Sequence, residues 1–449
     1  MRINKLHLKN FKGFAERIFE FSRRSNALSD GNGSFHLIIG QNATGKTALL
    51  DALAVAAGSW FLGIPSAKER AILPSDIRTK VFHYNDTDRI EQLLPVIVDA
   101  EGVISGVPIR WKRELHKRRT TSTLAKEIRI IAQQTILKMQ GESDTTLPLI
   151  SYYGTKRLWD EPNFTRNFED QKIKNQRNIQ SEYKGIENRF SSRLSGYRYS
   201  VDARISQREL IHWLRFEKIM ALENGRESQQ FTTVKEAIQK SIERCSNADF
   251  HIRLGLLLDI EDQGKLPFWA LSDGQRAMVT MIGDIAFKAA QLNPHLGSES
   301  LQKTPGIILI DELDLHLHPR WQRHIVDDLQ KIFPEIQFIC TTHSPQIIGE
   351  VSAEEIIVLG TGSQTYKLNY AFGLDSNRVL SELMDAPIRN KDIEAKINEL
   401  FKSIDDEEFD SAKEQIRDIE NKIGDDDTEL IRAKSIMAFI NNIWNEDNH

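Results

Sequence analysis

Eight consecutive residues carry the first recognisable chemistry of this sequence: Gly40, Gln41, Asn42, Ala43, Thr44, Gly45, Lys46 and Thr47. Two glycines at this spacing let the backbone amides between them turn inward around phosphate oxygens. Lys46 then reaches the β- and γ-phosphates of a nucleoside triphosphate, and Thr47 offers a hydroxyl to Mg²⁺. A chance glycine-rich turn would not need particular neighbours. This one follows the apolar run 35–39 and precedes a helical pattern in which Ala48, Leu49, Leu50, Ala52, Leu53 and Ala56 crowd one face. Strand before and helix after is the context a phosphate loop requires, and the helix adds the positive end of its dipole. The implied ligands are ATP and Mg²⁺.

Two carboxylates match this loop. Ile307, Ile308, Leu309 and Ile310 read as a buried strand ending in Asp311 and Glu312. An acidic strand end is common by itself. Beside a phosphate loop, Asp311 would hold Mg²⁺ and Glu312 would polarise the attacking water. Leu271, Ser272, Asp273, Gly274, Gln275 and Arg276 form the third element. Ser272 followed by Gln275 is a capping box, which predicts a helix from Ser272 to about Leu292. His343, in Thr341-Thr-His-Ser-Pro345, lies at the end of the next apolar run, 336–340. Histidines at strand ends are usually structural; the position one strand after Asp311 and Glu312 favours a place beside the γ-phosphate. His316 and His318 stand two apart with no further ligand cluster nearby, so they read as loop-shaping residues and not as a metal site.

The elements that must position these groups are those of an α/β fold. Residues 92–113 read as antiparallel strands with turns at Gly102 and Gly106, residues 122–140 as helix, and residues 147–153 as another buried strand. From about 156 to 250 the chain turns polar; residues 151–200 hold ten Lys or Arg against six Asp or Glu. After 390 it is helical and acidic, with seventeen acidic and eight basic side chains over 391–449. The expected divisions are an N-terminal lobe at 1–155, a helical insertion at 156–250, a C-terminal lobe at 251–385 and an acidic partner-docking region at 386–449. The overall charge of −5 does not announce a nucleic-acid binder, so any DNA contact must come from local basic patches such as residues 110–119; a solvated strand end is the plainer reading of that stretch. Two cysteines far apart form no disulfide framework or zinc spacing, and no apolar run reaches the roughly 20 residues of a membrane helix. A cytoplasmic protein is expected.

Phosphate loop, capped Leu271–Arg276 segment, acidic strand end and histidine, in that order, resemble an ABC-type ATPase, whose signature motif usually reads Leu-Ser-Gly-Gly-Gln; here Asp273 replaces the first glycine. The long gap before the signature is similar to the SMC and Rad50-like branch. The finer motifs Tyr152-Tyr-Gly-Thr-Lys-Arg-Leu-Trp159, Leu292-Asn-Pro294, Asp311-Glu-Leu-Asp-Leu-His-Leu-His-Pro319 and Tyr370-Ala-Phe-Gly-Leu-Asp375 resemble the AAA-family ATPase subunit of the Septu anti-phage system and its retron-associated relatives.

The resemblance implies an ABC head, a P-loop sheet with an antiparallel β subdomain, carrying a helical insertion and a C-terminal helical region. It implies a head-to-tail homo-oligomer, at least a dimer, in which Ser272, Gly274 and Gln275 of one copy meet ATP on the loop of another. It also implies an HNH-type nuclease as partner, and gives His343 the role of switch histidine. Asp314 opens the segment that corresponds to the family's dimer-contacting D-loop, which here lacks the usual small residues. The family's Q-loop would fall roughly at Asp76-Ile-Arg-Thr-Lys80, a segment that contains no glutamine. The residues after 376 read as helices, with Asp425–Asp427 between two of them, so no nuclease site is expected in this chain. Two rivals remain at this level. A Rad50-like repair ATPase would need a long heptad coil and a Cys-x-x-Cys hook, which the sequence lacks. An ATP-gated scaffold would keep the site and hydrolyse negligibly.

Overall fold

Runs of four or five aliphatic residues bounded by glycine or proline are too short for a helix and too apolar for a half-exposed strand. They can be satisfied only inside a sheet covered on both faces. A computed structural model of the chain describes residues 1–21, 33–65, 67–84, 87–117, 119–155, 190, 192–202, 207–360, 365–366 and 368–446. It contains such a sheet. Its strands are β1 (Arg2–Phe11), β2 (Phe14–Glu20), β3 (Ser34–Gly40), β4 (Thr79–Tyr84), β5 (Thr87–Gln92), β6 (Val96–Ile104), β7 (Val107–Leu115), β8 (Leu149–Tyr153), β9 (Cys245–His251), β10 (Gly255–Ile260), β11 (Gly264–Pro267), β12 (Gly306–Ile310), β13 (Ile336–Thr341), β14 (Ile356–Leu359) and β15 (Thr365–Tyr366). The helices of eight residues or more are α1 (Lys46–Ala57), α2 (Lys126–Gly141), α3 (Gln207–Asn224), α4 (Gln229–Lys240), α5 (Asp273–Leu292), α6 (Ile325–Ile332), α7 (Lys391–Asp405), α8 (Phe409–Ile423) and α9 (Thr428–Glu446).

The six-stranded sheet runs β15-β14-β3-β13-β12-β8 and is parallel except for β15. Its register puts Tyr153 and Cys340 level with Ile310, and Leu359 level with Gly40. The carboxyl ends of five strands therefore meet along one edge, where ligands of open α/β sheets bind. A second sheet, β2-β1-β6-β7, is antiparallel throughout, as the alternating strands at 92–113 predict. Helix α1 contacts strands of both sheets. Every residue of it is buried except Thr47, and its many alanines allow that close approach. Residues 156–189, 191 and 203–206 of the expected insertion lie outside the described residues. Its described part is the helix pair α3 and α4, then β9, which opens a three-stranded meander β11-β10-β9 leading to Ser272.

Residues Met1–Leu374 form one compact unit and Asp375–His449 a second. The second is three amphipathic helices, α7 to α9. They close over Ile397, Leu400, Ile404, Ala412, Ile416, Ile419, Leu430, Ala433 and Met437, with Ile393, Phe401 and Ile423 packed around them. Asp427 lies in the turn before α9, accepts from the amide of Glu429 at 3.0 Å and pairs with Arg389 at 2.7 Å.

Candidate nucleotide site

Strand β3 ends at Gly40, and the loop that follows turns into α1 at Gly45. Gly45 has φ +101°, and a Cβ there would sit 2.8 Å from the Phe14 ring. The left-handed conformation and the close approach both require glycine. No side chain caps α1, so its first-turn amides face outward without an intramolecular acceptor from a capping group. Lys46 is 8% exposed and donates to the carbonyls of Gly40 at 2.8 Å and Gln41 at 3.0 Å. Burial pulls its ammonium below the usual lysine range, against the nearby charges of Asp311, Glu312 and Asp314. A buried cation that makes do with loop carbonyls is poised to exchange them for anionic oxygens.

Asp311 follows β12 and is 3% exposed. Thr47 donates to its Oδ2 at 2.9 Å, and Thr341, at the end of β13, donates to its Oδ1 at 2.6 Å. Thr341 Oγ1 also accepts from the amide of Glu312 at 2.8 Å. One buried hydroxyl thus fixes both carboxylate residues. Glu312 has φ +50°, an uncommon conformation for a non-glycine residue and a mark of sites where orientation matters more than local comfort. The oxygens of Thr47 and Asp311 form the donor pair a hard divalent cation needs. Asp314 accepts from the Thr342 hydroxyl at 2.6 Å and from the His343 amide at 3.2 Å, so the backbone of His343 is held to the loop after Glu312.

Ser272 caps α5. Its hydroxyl accepts from the amide of Gln275 at 3.3 Å, and its own amide donates to Gln275 Oε1 at 3.0 Å. The predicted capping box is present. Gly274 is buried on the inner side, and a Cβ there would lie 2.5 Å from the carbonyl oxygen of His316 and 3.0 Å from the Trp321 ring. Ser272 and Asp273 are exposed. The structure therefore gathers Lys46, Thr47, Asp311, Glu312 and the backbone of His343 at one sheet edge. Among the described residues, no hydrogen bond joins Ser272, Gly274 or Gln275 to the phosphate loop. His318 caps a short helical turn, accepting from the amide of Arg320 at 3.2 Å, and His316 has φ +64°; both shape the loop.

Residues 76–80 run from a short helical turn into β4; Asp76 is buried and pairs with Lys12 at 3.3 Å, and Lys12 pairs also with Asp51 on α1. The strand that flanks Asp311 is β8: the Asp311 amide donates to the Tyr153 carbonyl at 2.8 Å. Two further residues, Asp51 and Thr341, make contacts to which the sequence reading gave no role. Asp51, on α1 one turn after Thr47, pairs with Lys12 and Arg70 and accepts from Tyr152 Oη at 3.2 Å. The parallel register of β12 and β13, which pairs Ile310 with Cys340, sets Thr341 beside Asp311. Part of the basic stretch 110–119 is taken up within the fold, and Arg118 lies outside the described residues. Arg110 forks onto Asp99 at 3.0 and 2.7 Å, Arg113 is buried, and Lys112 and His116 pair with Glu114.

The family described as "AAA domain, putative AbiEii toxin, Type IV TA system" matches residues 35–349, well over half of the chain. The chain belongs to this AAA-domain family. It is related in sequence to retron ATPases and Septu proteins. The "Retron Ec83 probable ATPase" of Escherichia coli is 24% identical over 511 aligned residues, covering 100% of this chain and 88% of the relative. The "Septu protein PtuA" of Bacillus thuringiensis is 34% identical over 154 residues, 32% of this chain and 39% of that protein. A solved SMC head bound to the C-winged helix domain of ScpA aligns with 82% of this chain and 98% of its own, at 18% identity and a TM-score of 0.44.

Proposed function

We propose that this AAA-domain ATPase binds ATP with Mg²⁺, hydrolyses it slowly, and closes as a sandwich between two copies of itself. One observation carries the reading: the phosphate loop and its acidic partner are assembled within one chain, Thr47 on Asp311 at 2.9 Å, while the capped start of α5 turns Ser272 and Asp273 to solvent. Lys46 and the loop amides from Gly40, Gln41, Asn42, Ala43, Thr44 and Gly45 grip the triphosphate. Thr47 and Asp311 would hold Mg²⁺, which supplies charge neutralisation on the phosphates. Glu312 orients the attacking water and accepts its proton, and His343 stands beside the γ-phosphate. Ser272, Gly274 and Gln275 of the second copy close the site through the amides and dipole of α5.

We place this cycle in cytoplasmic anti-phage defence, governing a partner nuclease of the HNH type, with the acidic unit Asp375–His449 as docking element. The retron and Septu relatives support that setting. Among the described residues no helix is long and apolar enough to cross a membrane.

Glu312→Gln tests the chemistry. It is expected to keep ATP binding within about two-fold while lowering phosphate release by about a hundred-fold or more, and to accumulate the ATP-bound dimer in size-exclusion chromatography. Equal, near-zero phosphate release by wild type and variant would instead identify a nucleotide-gated scaffold.

A further inference from the structure

Two turns and more beyond its capped start, α5 carries a second set of polar groups that the reading above does not use. Asp284 and Lys288, one turn apart, are 2% and 6% exposed and face β8. Lys288 Nζ lies 2.8 Å from Asp284 Oδ2 and donates to Ser151 Oγ at 3.1 Å. Tyr153 Oη donates to the same Asp284 oxygen at 2.8 Å, and Tyr153 is itself 1% exposed.

Burying an ion pair and a phenol in an apolar interior is a poor way to gain stability. Desolvation offsets most of the attraction, and aliphatic residues of the same volume would serve as well. What such a network gives is direction. Each bond has one geometry, and it fixes the rotation and axial position of α5 against the edge strand more narrowly than apolar contacts can. The strand it grips is the one that flanks Asp311. The Tyr153 main-chain carbonyl accepts the Asp311 amide at 2.8 Å, the last rung of the β8–β12 ladder. A single residue therefore holds α5 by its side chain and the metal-holding carboxylate residue by its backbone. From Asp311 the connection continues to Thr47 at 2.9 Å and to Thr341 at 2.6 Å.

We propose that Tyr153 is a positioning residue that ties the placement of the Ser272 helix to the setting of Asp311. Docking of Ser272 on the nucleotide of a second copy then adjusts the hydrolytic geometry of its own site. The inference rests on the sandwich reading and adds to it: the two ATP sites of the dimer are coupled through each protomer.

The test is a double-mutant cycle in the full chain with Tyr153→Phe and Ser272→Ala, reading kcat, ATP affinity and melting temperature for all four proteins. Phenylalanine keeps the ring and the backbone bond to Asp311, and Lys288 still neutralises Asp284, so the fold survives. Tyr153→Phe is expected to lower kcat by about ten-fold with ATP affinity within about two-fold. The loss caused by Ser272→Ala should shrink by about five-fold or more in the Tyr153→Phe background. A tyrosine that only braces the core would lower the melting temperature and leave the two effects additive. Additive effects, with Ser272→Ala alone still damaging, overturn the inference and leave the sandwich standing. If Ser272→Ala alone changes neither turnover nor ATP-driven pairing, the sandwich reading and the inference both fall.

Discussion

The two halves of the proposed nucleotide site are finished to different degrees. In the phosphate half, Lys46, Asp311 and Thr341 are 8%, 3% and 0% exposed; Lys46 is held by the carbonyls of Gly40 and Gln41, and Asp311 by the hydroxyls of Thr47 and Thr341. In the signature half, the start of α5 is complete only on its inner side. The capping box and Gly274 against His316 fix it there, while the Asp273 side chain is 68% exposed and Trp269, just upstream, is 65% exposed. The first half is preorganised for an anion within one chain. The second offers helix amides outward, beside Asp273, whose charge is paired with Arg276 on the same helix. Binding should therefore belong to the first half, and assembly and turnover to the second.

Lys46→Ala should break the first half with the largest effect. Losing charge-assisted bonds to two phosphate oxygens, about 1.5–3 kcal/mol each, predicts ATP binding weakened about a hundred-fold or more. Isothermal titration checks this, and melting should move little, because a partly desolvated ammonium is removed with its bonds. Binding retained within about three-fold would mean that the loop amides grip the triphosphate unaided.

Gly274→Ala sharpens the contrast from the other side. Its Cβ would meet the His316 carbonyl at 2.5 Å, so either the helix start or the 314–318 loop must shift. Overpacking of this kind costs about 1–3 kcal/mol. Turnover is expected to fall about ten-fold with ATP affinity within about two-fold. A parallel loss of affinity, measured on the same samples, would show that the halves are not separable.

These differences also mark what could be read from sequence. The phosphate loop, the acidic strand end and the capping box depend on residues close in the chain, where backbone geometry and side-chain type are tightly linked. The parallel sheet followed from the aliphatic runs at 35–39, 307–310 and 336–340. Illegible were the contacts made across register: Thr341 bridging Asp311 and Glu312, Tyr153 reaching Asp284, and Asp51 collecting Lys12 and Arg70. A long gap between motifs fixes order along the chain and leaves open which strand lies beside which.

The smallest expected effect concerns the strand that feeds the phosphate loop. His36, on β3 four residues before Gly40, is 1% exposed and meets the Phe21 ring edge-on at 5.5 Å. Burial first, then the charge of Arg2, pull its pKa down to about 3. In the unfolded chain it titrates near 6.5. Below that pH the unfolded state takes up a proton that the folded state refuses, so stability from this group is full above about 6.5 and is lost progressively down to about 3. His36→Leu removes the linkage. The fall in melting temperature between about pH 6.5 and 4.5 should flatten by a few degrees, with ATP affinity at neutral pH within about two-fold. An unchanged slope would assign the acid sensitivity to other groups. A flattened one would locate it in the phosphate half.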